Sequence, residues 1–295
     1  MPEGDTLYRA ARWLDGELAG TAIDALWIRG RGVLPGGVIT EARALGKHVL
    51  VGIAALPKAE PDPNSEFDLG DHATTPRRDA ARPDKPPRAD AILHFHLGMY
   101  GKLRRYEVAL ASGRETAHTS LWLARGETRW IVFRAMTAEL LHRHALADHA
   151  ALARLGPDVL APVLDLAEVV ARARRAHRPT IADLLVDQSI AAGIGNRWKC
   201  EALFHERIHP LTPPERLSDA ALLALYRRAR ELMADSVARG GRDAHFPTSR
   251  SAPHGRSWVY GREGRPCPAC SAPIRVKRMG DDARGVWFCA RCQPV

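Results

Sequence analysis

The stretch CPACSAPIRVKRMGDDARGVWFCARC, residues 267–292, contains two Cys-x-x-Cys pairs separated by eighteen residues. Four thiolates on two tight turns suit the tetrahedral coordination of Zn²⁺, and the spacing lies within the range of known zinc-binding sequences. Two redox-active dithiols are the alternative, but nothing resembling a thioredoxin-type unit surrounds either pair. The segment between the pairs can form a β-hairpin, so the sequence predicts a zinc finger with one structural Zn²⁺ bound by Cys267, Cys270, Cys289 and Cys292.

The predicted finger lies in the most basic part of the chain. The 295 residues carry 43 Lys and Arg against 34 Asp and Glu, a net charge of +9. Eleven of these bases and four of these acids fall within residues 239–295, which gives that segment a charge of +7. A basic excess favours a polyanionic partner, with nucleic acid first and a membrane surface second. Within the hairpin, the candidate contacts to such a partner are Arg275, Lys277 and Arg284.

Composition places the chain among ordinary globular proteins. Hydrophobic residues at 45% and charged residues at 26% exclude a largely disordered chain. No run approaches the roughly 18 apolar residues of a transmembrane helix, and the first residues lack the layout of a signal peptide. We therefore expect a cytoplasmic protein without membrane contact, in which thiols stay reduced. The fifth cysteine, Cys200, lies in an apolar helical sequence and is expected in the core.

Short β-like segments dominate the N-terminal half, after a helix that Asp5 or Thr6 is expected to cap and that runs to about Leu18. They predict an antiparallel β-sandwich domain over residues 1–136. Residues 57–90, rich in proline and charge, are interpreted as a flexible insertion because they offer little to bury. The predicted strands are 22–28, 37–42, 48–53, 91–97, 119–123 and 129–133.

Helical sequence begins at residue 137, with predicted helices at 137–147, 165–176, 180–189, 198–204 and 220–238. We assign residues 137–241 to a helical domain, 242–257 to a linker rich in Gly, Ser, Pro and His, and 258–295 to the finger. The chain is thus expected to be an α+β multidomain protein.

The turn Gly193-Ile194-Gly195-Asn196 separates two of the predicted helices. Free N–H groups at the start of the second helix, together with the Asn196 amide, would bind a phosphate group. A glycine-rich helix connection without a ligand explains the same residues equally well.

The N-terminal sequence Met1-Pro2-Glu3 offers a nucleophile. Removal of Met1 would leave Pro2 with a free secondary amine beside the Glu3 carboxylate. An α-amine titrates near pH 8, so about 10% of it is unprotonated at neutral pH, whereas a lysine is almost fully protonated. Such an amine can attack a sugar C1′ and form a cationic iminium. Met-Pro-Glu is also a common start without catalytic meaning.

Seven motifs follow one another along the chain. They are Met-Pro-Glu-Gly at 1–4, Gly-Lys-His-Val-Leu at 46–50, His-Leu-Gly-Met-Tyr-Gly at 96–101, Leu-Gly-Pro-Asp-Val-Leu at 155–160, Asp-Gln followed by Gly-Ile-Gly-Asn-Arg-Trp-Lys-Cys-Glu-Ala-Leu-Phe within 187–204, Ile-His-Pro at 208–210, and Val-Tyr-Gly-Arg-Glu-Gly-Arg-Pro-Cys at 259–267 with the cysteine pairs. In this order they resemble the formamidopyrimidine-DNA glycosylase/endonuclease VIII family of base-excision repair enzymes. The resemblance implies an N-terminal β-sandwich flanked by helices, a helix–two-turn–helix domain and a C-terminal zinc finger.

The resemblance implies a bifunctional DNA glycosylase/AP lyase that acts on damaged duplex DNA as a nucleoid-associated monomer. Pro2 would be the nucleophile on C1′ and Glu3 the acid and base that assists ring opening. Lys47 would contact a phosphate near the lesion. The residues that would grip flanking phosphates are Asn196 and Arg284, and Met99 would enter the gap left by the extruded base.

The chain also departs from the family pattern. Thr6 stands where many members carry a second glutamate, and residues 133–136 lack the Arg-Arg-Phe-Gly wedge of the purine-specific branch. Thr6 puts the fine tuning of the nucleophile in question, whereas the missing wedge and the Met-Pro-Glu-Gly-Asp start favour the endonuclease VIII-like branch and oxidised pyrimidines. Strand cleavage by β/δ-elimination is implied by the family resemblance. Two alternatives remain: a non-catalytic binder of abasic or damaged DNA on the same scaffold, and a zinc-ribbon RNA or transcription-associated protein.

Overall fold

The structure, a computed structural model, describes residues 2–54, 89–107, 117–240, 257–279 and 283–295. The predicted insertion at 57–90 and the predicted linker at 242–257 lie outside the described residues, except for residues 89, 90 and 257. Within the described ranges, no helix is long and apolar enough to cross a membrane.

The N-terminal half consists of a helix packed on an antiparallel sheet. Helix α1 spans Gly4–Leu18, and the strands are β1 Ala22–Ile28, β2 Gly32–Leu45, β3 His48–Ala54, β4 Ala91–His96, β5 Lys102–Glu107, β6 Thr119–Arg125, β7 Thr128–Phe133 and β8 Thr137–His142. All eight strands form one hydrogen-bonded sheet in the order β5-β7-β6-β1-β2-β3-β4-β8. The antiparallel β architecture flanked by helices is therefore confirmed.

Helix α1 packs on the sheet through one apolar stripe. Leu7, Leu14 and Leu18 are each at most 1% exposed and join both halves of the sheet in one core cluster. Glu3, not Asp5 or Thr6, occupies the N-cap position. The predicted cap is wrong because the Asp5 side chain is directed at residues of the helical domain.

The helix predicted at 137–147 is also wrong. Residues 137–142 form β8, which pairs with β4 from Thr137 opposite His96 to His142 opposite Ala91, and a short 3-10 helix follows. A pattern of six residues of mixed polarity does not distinguish a strand from a helix. Hydrogen bonding to the neighbouring strand β4 therefore determines that this segment is a strand. The sheet therefore extends beyond residue 136, the boundary assigned from the sequence.

The helices that follow agree with the prediction to within a few residues. They are α2 Leu166–Arg175, α3 Ile181–Val186, α4 Asn196–His205 and α5 Asp219–Arg239. Asp165, Thr180 and Ser218 cap α2, α3 and α5 by accepting backbone N–H groups. These helices share a second core cluster in which Cys200 is fully buried, as expected.

The C-terminal residues form a hairpin of β9 Arg275–Met279 and β10 Arg284–Phe288. Val286 and Cys289 are part of the helical core cluster, which joins the hairpin to α4 and α5. Buried Glu201 on α4 accepts the N–H groups of residues 258–260 at 2.7–3.1 Å. Gln293 donates to the Ile208 carbonyl at 2.8 Å. The hairpin is thus fixed to the helical domain by apolar packing and by buried polar contacts.

Candidate active site at the junction of the sheet and the helices

The first residues of the chain lie against the glycine turn between α3 and α4. The Gly4 N–H donates to the Gly193 carbonyl at 2.9 Å. A Cβ on Gly4 would lie 2.8 Å from the Gly193 Cα and 2.9 Å from the Met233 Cε. Because only glycine leaves room for so close an approach, the Glu3-Gly4 start and the Gly-Ile-Gly turn fit one another. Pro2, directly before them, is partly exposed.

The Glu3 carboxylate occupies the N-terminal end of α4. It accepts the N–H groups of Arg197 at 2.8 Å and Trp198 at 3.3 Å, and its side chain is 2% exposed. Burial raises the pKa of Glu3, against the opposing effects of the Lys47 charge and the two backbone hydrogen bonds. A raised pKa makes a carboxyl group a better proton acceptor and favours its acid form, which suits general acid–base catalysis.

Lys47 lies in the turn between β2 and β3. Burial lowers the pKa of Lys47 to about 8; Glu3 favours the charged form, while Arg284 and Lys199 oppose it. The Asp158 carboxylate accepts the N–H of Gly46 at 2.7 Å, immediately before Lys47. The helical domain therefore positions the turn that carries this lysine.

Asn196 connects the start of α4 to the hairpin. Its Nδ2 donates to the Gly285 carbonyl at 2.8 Å, one residue after Arg284. Arg284 lies close enough to Lys47 and Lys199 to lower the pKa of both lysines. The sheet, the helices and the hairpin therefore together form a single cluster of basic residues around the buried Glu3 carboxylate.

Asp5, predicted from the sequence only as a possible helix cap, is a buried residue that links α1 to α4 and α5. Its carboxylate accepts the Trp198 Nε1–H at 3.0 Å and the Ser236 hydroxyl at 2.7 Å, and Arg9 lies 3.4 Å away. These contacts tie α1 to α4 and α5, and so fix the position of Glu3. The other residue that the sequence analysis missed in the cluster is Lys199, which is 5% exposed.

The remaining predicted residues lie at the surface. Met99 is 49% exposed in the turn after β4. Arg275 and Lys277 are exposed on β9. Arg275 pairs with Phe288 at the cysteine end of the hairpin, whereas Arg284 pairs with Met279 at the opposite end, about 13 Å away along the strands. The structure therefore brings Arg284 to the cluster but leaves Arg275 at the other end of the hairpin.

The four cysteine sulfurs converge on one point. The Cys267 and Cys292 Sγ atoms are 3.9 Å apart, those of Cys270 and Cys289 are 3.4 Å apart, and all four lie within 4.8 Å of one another. Metal–sulfur bonds of ~2.3 Å in a tetrahedron require sulfur–sulfur distances of ~3.8 Å. The four thiolates therefore fit a single tetrahedral metal ion.

An antiparallel sheet, a helical domain and a hairpin with four convergent cysteines around a buried carboxylate define a helix–two-turn–helix protein whose finger could hold a metal ion. Residues 155–248 match the family described as the formamidopyrimidine-DNA glycosylase H2TH domain. The chain is 35% identical over 214 residues to the formamidopyrimidine-DNA glycosylase of Geotalea uraniireducens, covering 68% of this chain and 74% of that protein. It is also 35% identical over 212 residues to that of Sphingopyxis alaskensis, covering 69% and 75%. The chain belongs to the formamidopyrimidine-DNA glycosylase family.

Solved structures agree with this assignment. The formamidopyrimidine-DNA glycosylase of Lactococcus lactis, bound non-covalently to DNA containing an AP site, superimposes with a TM-score of 0.74 at 21% identity, covering 99% of this chain and 100% of that one. The same protein bound to DNA containing an oxidised pyrimidine gives a TM-score of 0.75 at 22% identity, with full coverage of both chains. The family and the α+β fold expected from the sequence are confirmed.

Proposed function

We propose that the chain is a bifunctional DNA glycosylase and AP lyase that excises oxidised bases from duplex DNA. The observation that carries this proposal is the convergence of three separate parts of the chain on one buried carboxylate. Lys47 lies within electrostatic range of both Glu3 and Arg284, and Asn196 is hydrogen-bonded beside Arg284. Pro2 precedes the carboxylate. A basic cluster beside an acid suits a substrate whose anionic backbone flanks the reacting sugar.

Binding would begin with the phosphates. Lys47, Asn196 and Arg284 are assigned to phosphates that flank the lesion, because basic and amide groups near a helix N-terminus favour anions. The damaged nucleotide must leave the base stack, which costs a few kcal/mol and costs least for a damaged or mispaired base. Met99, an exposed apolar side chain on a turn, is proposed to enter the gap. Arg275 and Lys277 are proposed to contact the backbone farther along the duplex.

The chemistry would start at the N-terminus, once Met1 has been removed. The Pro2 nitrogen attacks C1′, the bond from C1′ to the base breaks, and the base leaves with the proton that the Pro2 amine gives up. Glu3, whose pKa is raised by burial, donates a proton to the opening sugar ring. The resulting iminium acidifies the C2′ proton, whose loss expels the 3′ phosphate by β-elimination, and δ-elimination then expels the 5′ phosphate. Base removal and strand cleavage thus share one covalent intermediate.

The four cysteines are proposed to hold one structural Zn²⁺. Cys267, Cys270, Cys289 and Cys292 supply four soft thiolates in a closed set, which favours zinc over Mg²⁺ or Ca²⁺. The ion supplies rigidity: it fixes the base of the hairpin whose far end carries Arg284. We place the site of action at the nucleoid and expect the chain to act as a monomer.

Two base preferences compete. The absence of the Arg-Arg-Phe-Gly wedge at 133–136 favours the endonuclease VIII-like branch and oxidised pyrimidines, which we propose as the substrates. In this segment Met136 is 70% exposed, and Arg134 has a φ of 49°. The names of the relatives, all formamidopyrimidine-DNA glycosylases, favour formamidopyrimidine lesions instead.

The test is borohydride trapping on a panel of duplexes that carry an abasic site, an oxidised pyrimidine, an oxidised purine or a formamidopyrimidine. We expect a covalent complex and strand cleavage, fastest on the abasic and oxidised-pyrimidine duplexes. Faster excision of the formamidopyrimidine would reverse the base preference without affecting the reaction class. Salt-sensitive binding without trapping or cleavage on any duplex would instead identify a non-catalytic binder of damaged DNA.

A further inference from the structure

A second group of metal-ligating side chains lies in the sheet domain. His94 on β4, Glu139 on β8 and His149 beyond the 3-10 helix each place a ligand atom within 4.8 Å of the other two. The His94 Nδ1 lies 2.8 Å, and the His149 Nε2 lies 3.0 Å, from the same Oε1 of Glu139. Two imidazoles and one carboxylate therefore converge on one point.

The fold builds this convergence from three segments. His94 and Glu139 are direct partners in the antiparallel register of β4 and β8, so their side chains project to the same face. The neighbouring Leu93 and Phe95 point the other way into the main core. Leu152 packs on Leu50 and Ile92, part of a small apolar cluster that fixes the segment carrying His149 over the outer face.

The surroundings of these side chains suit a metal site. His94 is 1% exposed. Its other nitrogen, Nε2, lies 2.9 Å from the His48 Nδ1, a contact of the kind that orients metal-ligating histidines. The side chains of Glu139 and His149 are 35% and 19% exposed, so that an ion can enter from solvent.

A purely hydrogen-bonded network is the competing explanation. In that arrangement both rings donate to the Glu139 Oε1, and the Nδ1 of His149 is buried without a hydrogen-bond partner. Metal–ligand bonds of about 2.0–2.2 Å require ligand atoms roughly 3.3 Å apart in a tetrahedral site. The observed separations of 2.8 Å and 3.0 Å are a few tenths of an ångström short of that value, and the three ligand atoms all lie within 4.8 Å of one another. Metal binding therefore requires the side chains to rearrange around the ion.

We propose that His94, Glu139 and His149 form a second metal site that binds one divalent first-row transition ion, such as Zn²⁺ or Ni²⁺. Mixed nitrogen and oxygen donors favour these ions over Mg²⁺ and Ca²⁺, which take oxygen ligands. A water molecule completes the coordination on the exposed side. The site is independent of the four cysteines and of the proposed DNA chemistry, because none of its ligands belongs to either.

The test counts metals in the full-length protein after its finger has been loaded with Zn²⁺. Ni²⁺ is titrated by calorimetry, and both metals are then measured by mass spectrometry after removal of free ions. We expect one Ni²⁺ per chain in addition to one retained Zn²⁺, together with a higher melting temperature. The second ion should be lost in Glu139→Gln and in His149→Ala, which alter partly exposed side chains and leave buried His94 in place.

His144→Ala is the matched control, because it removes an exposed histidine five residues before His149. This variant should still bind one Ni²⁺, and circular dichroism should show all three variants folded. The proposal is overturned if the wild type binds no ion beyond the finger, or if Ni²⁺ only replaces Zn²⁺ with the total unchanged. Equal Ni²⁺ affinity in the wild type and in His149→Ala would overturn it as well.

Discussion

Gly4→Ala tests how closely the N-terminus must approach the helical domain. The added Cβ would lie 2.8 Å from both the Cα and the carbonyl oxygen of Gly193, atoms of a backbone that cannot rotate away. Ordinary contacts begin near 3.4 Å, so helix α1 or the glycine turn must move by about 0.6 Å. That movement would carry Pro2 and Glu3 with it.

The expected cost follows from that displacement. Overpacking of a close contact typically destabilises by about 1–3 kcal/mol. A misplacement of up to about 1 Å at a reacting group can reduce a rate by about 100-fold. We therefore expect Gly4→Ala to lower the free energy of unfolding by about 1–3 kcal/mol and to slow single-turnover base excision by about 10- to 100-fold.

Gly16→Ala is a matched control in the same helix. A Cβ at Gly16 meets nothing within 4 Å, and alanine is a better helix former than glycine by about 0.5–1 kcal/mol. This variant should be slightly more stable and should excise bases at the wild-type rate. Urea unfolding and rapid-quench excision would be measured on both variants. Wild-type excision by a folded Gly4→Ala protein would refute the claim that this approach positions the site.

Three further predictions concern Lys47, Asp158 and the finger. Lys47→Met should slow excision yet stabilise the fold by roughly 3 kcal/mol at pH 7, because burial lowers the folded-state pKa of Lys47 from 10.5 to about 8 and so penalises its charged form. That penalty is fully present below pH 8 and fades as the pH rises to about 10.5, which urea unfolding at several pH values would detect. Asp158→Ala should destabilise by about 1–3 kcal/mol, since it leaves the Gly46 N–H without its 2.7 Å acceptor, and Asp158→Asn should cost less in the same unfolding assay. Metal removal should weaken DNA binding, because the hairpin that carries Arg284 is then no longer held together at its cysteine end. Fluorescence anisotropy would measure this loss of affinity.

Each of these predictions can fail in a distinct way. A Lys47→Met protein whose stability gain did not change between pH 7 and pH 10 would exclude burial of the lysine charge as the cause. Equal unfolding curves for Asp158→Ala and the wild type would show that the Gly46 contact contributes nothing. Undiminished DNA affinity in metal-free protein would separate the finger from DNA binding.

The parts of the site that the sequence could predict are those encoded by local spacing. Two Cys-x-x-Cys pairs specify a tetrahedral sulfur set without reference to the rest of the chain, and the four sulfurs do converge. Glu3, Lys47 and Arg284 were assigned through family motifs, and the structure places Lys47 within electrostatic range of the other two. Neither spacing nor periodicity alone would have brought them together.

The parts that could not be predicted depend on contacts between distant segments. Asp5 bonds to Trp198 and Ser236, and Asp158 bonds to Gly46. Each of these partners lies far away along the chain, so no local sequence pattern contains it. In the sequence, these buried carboxylates therefore resemble ordinary helix-start or turn residues. The error at 137–142 has the same origin, because β4 supplies the hydrogen bonds that make this segment a strand.

In the proposed reaction, the N-terminal amine of Pro2 forms the covalent intermediate. Peptide mapping by mass spectrometry of the borohydride-trapped complex with an abasic duplex identifies the amine directly. We predict one adduct, between C1′ and the Pro2 nitrogen. Lys47 is the competing amine, since its pKa of about 8 leaves a fraction of it neutral at pH 7. An adduct on Lys47, with Pro2 unmodified, would show that Pro2 is not the nucleophile.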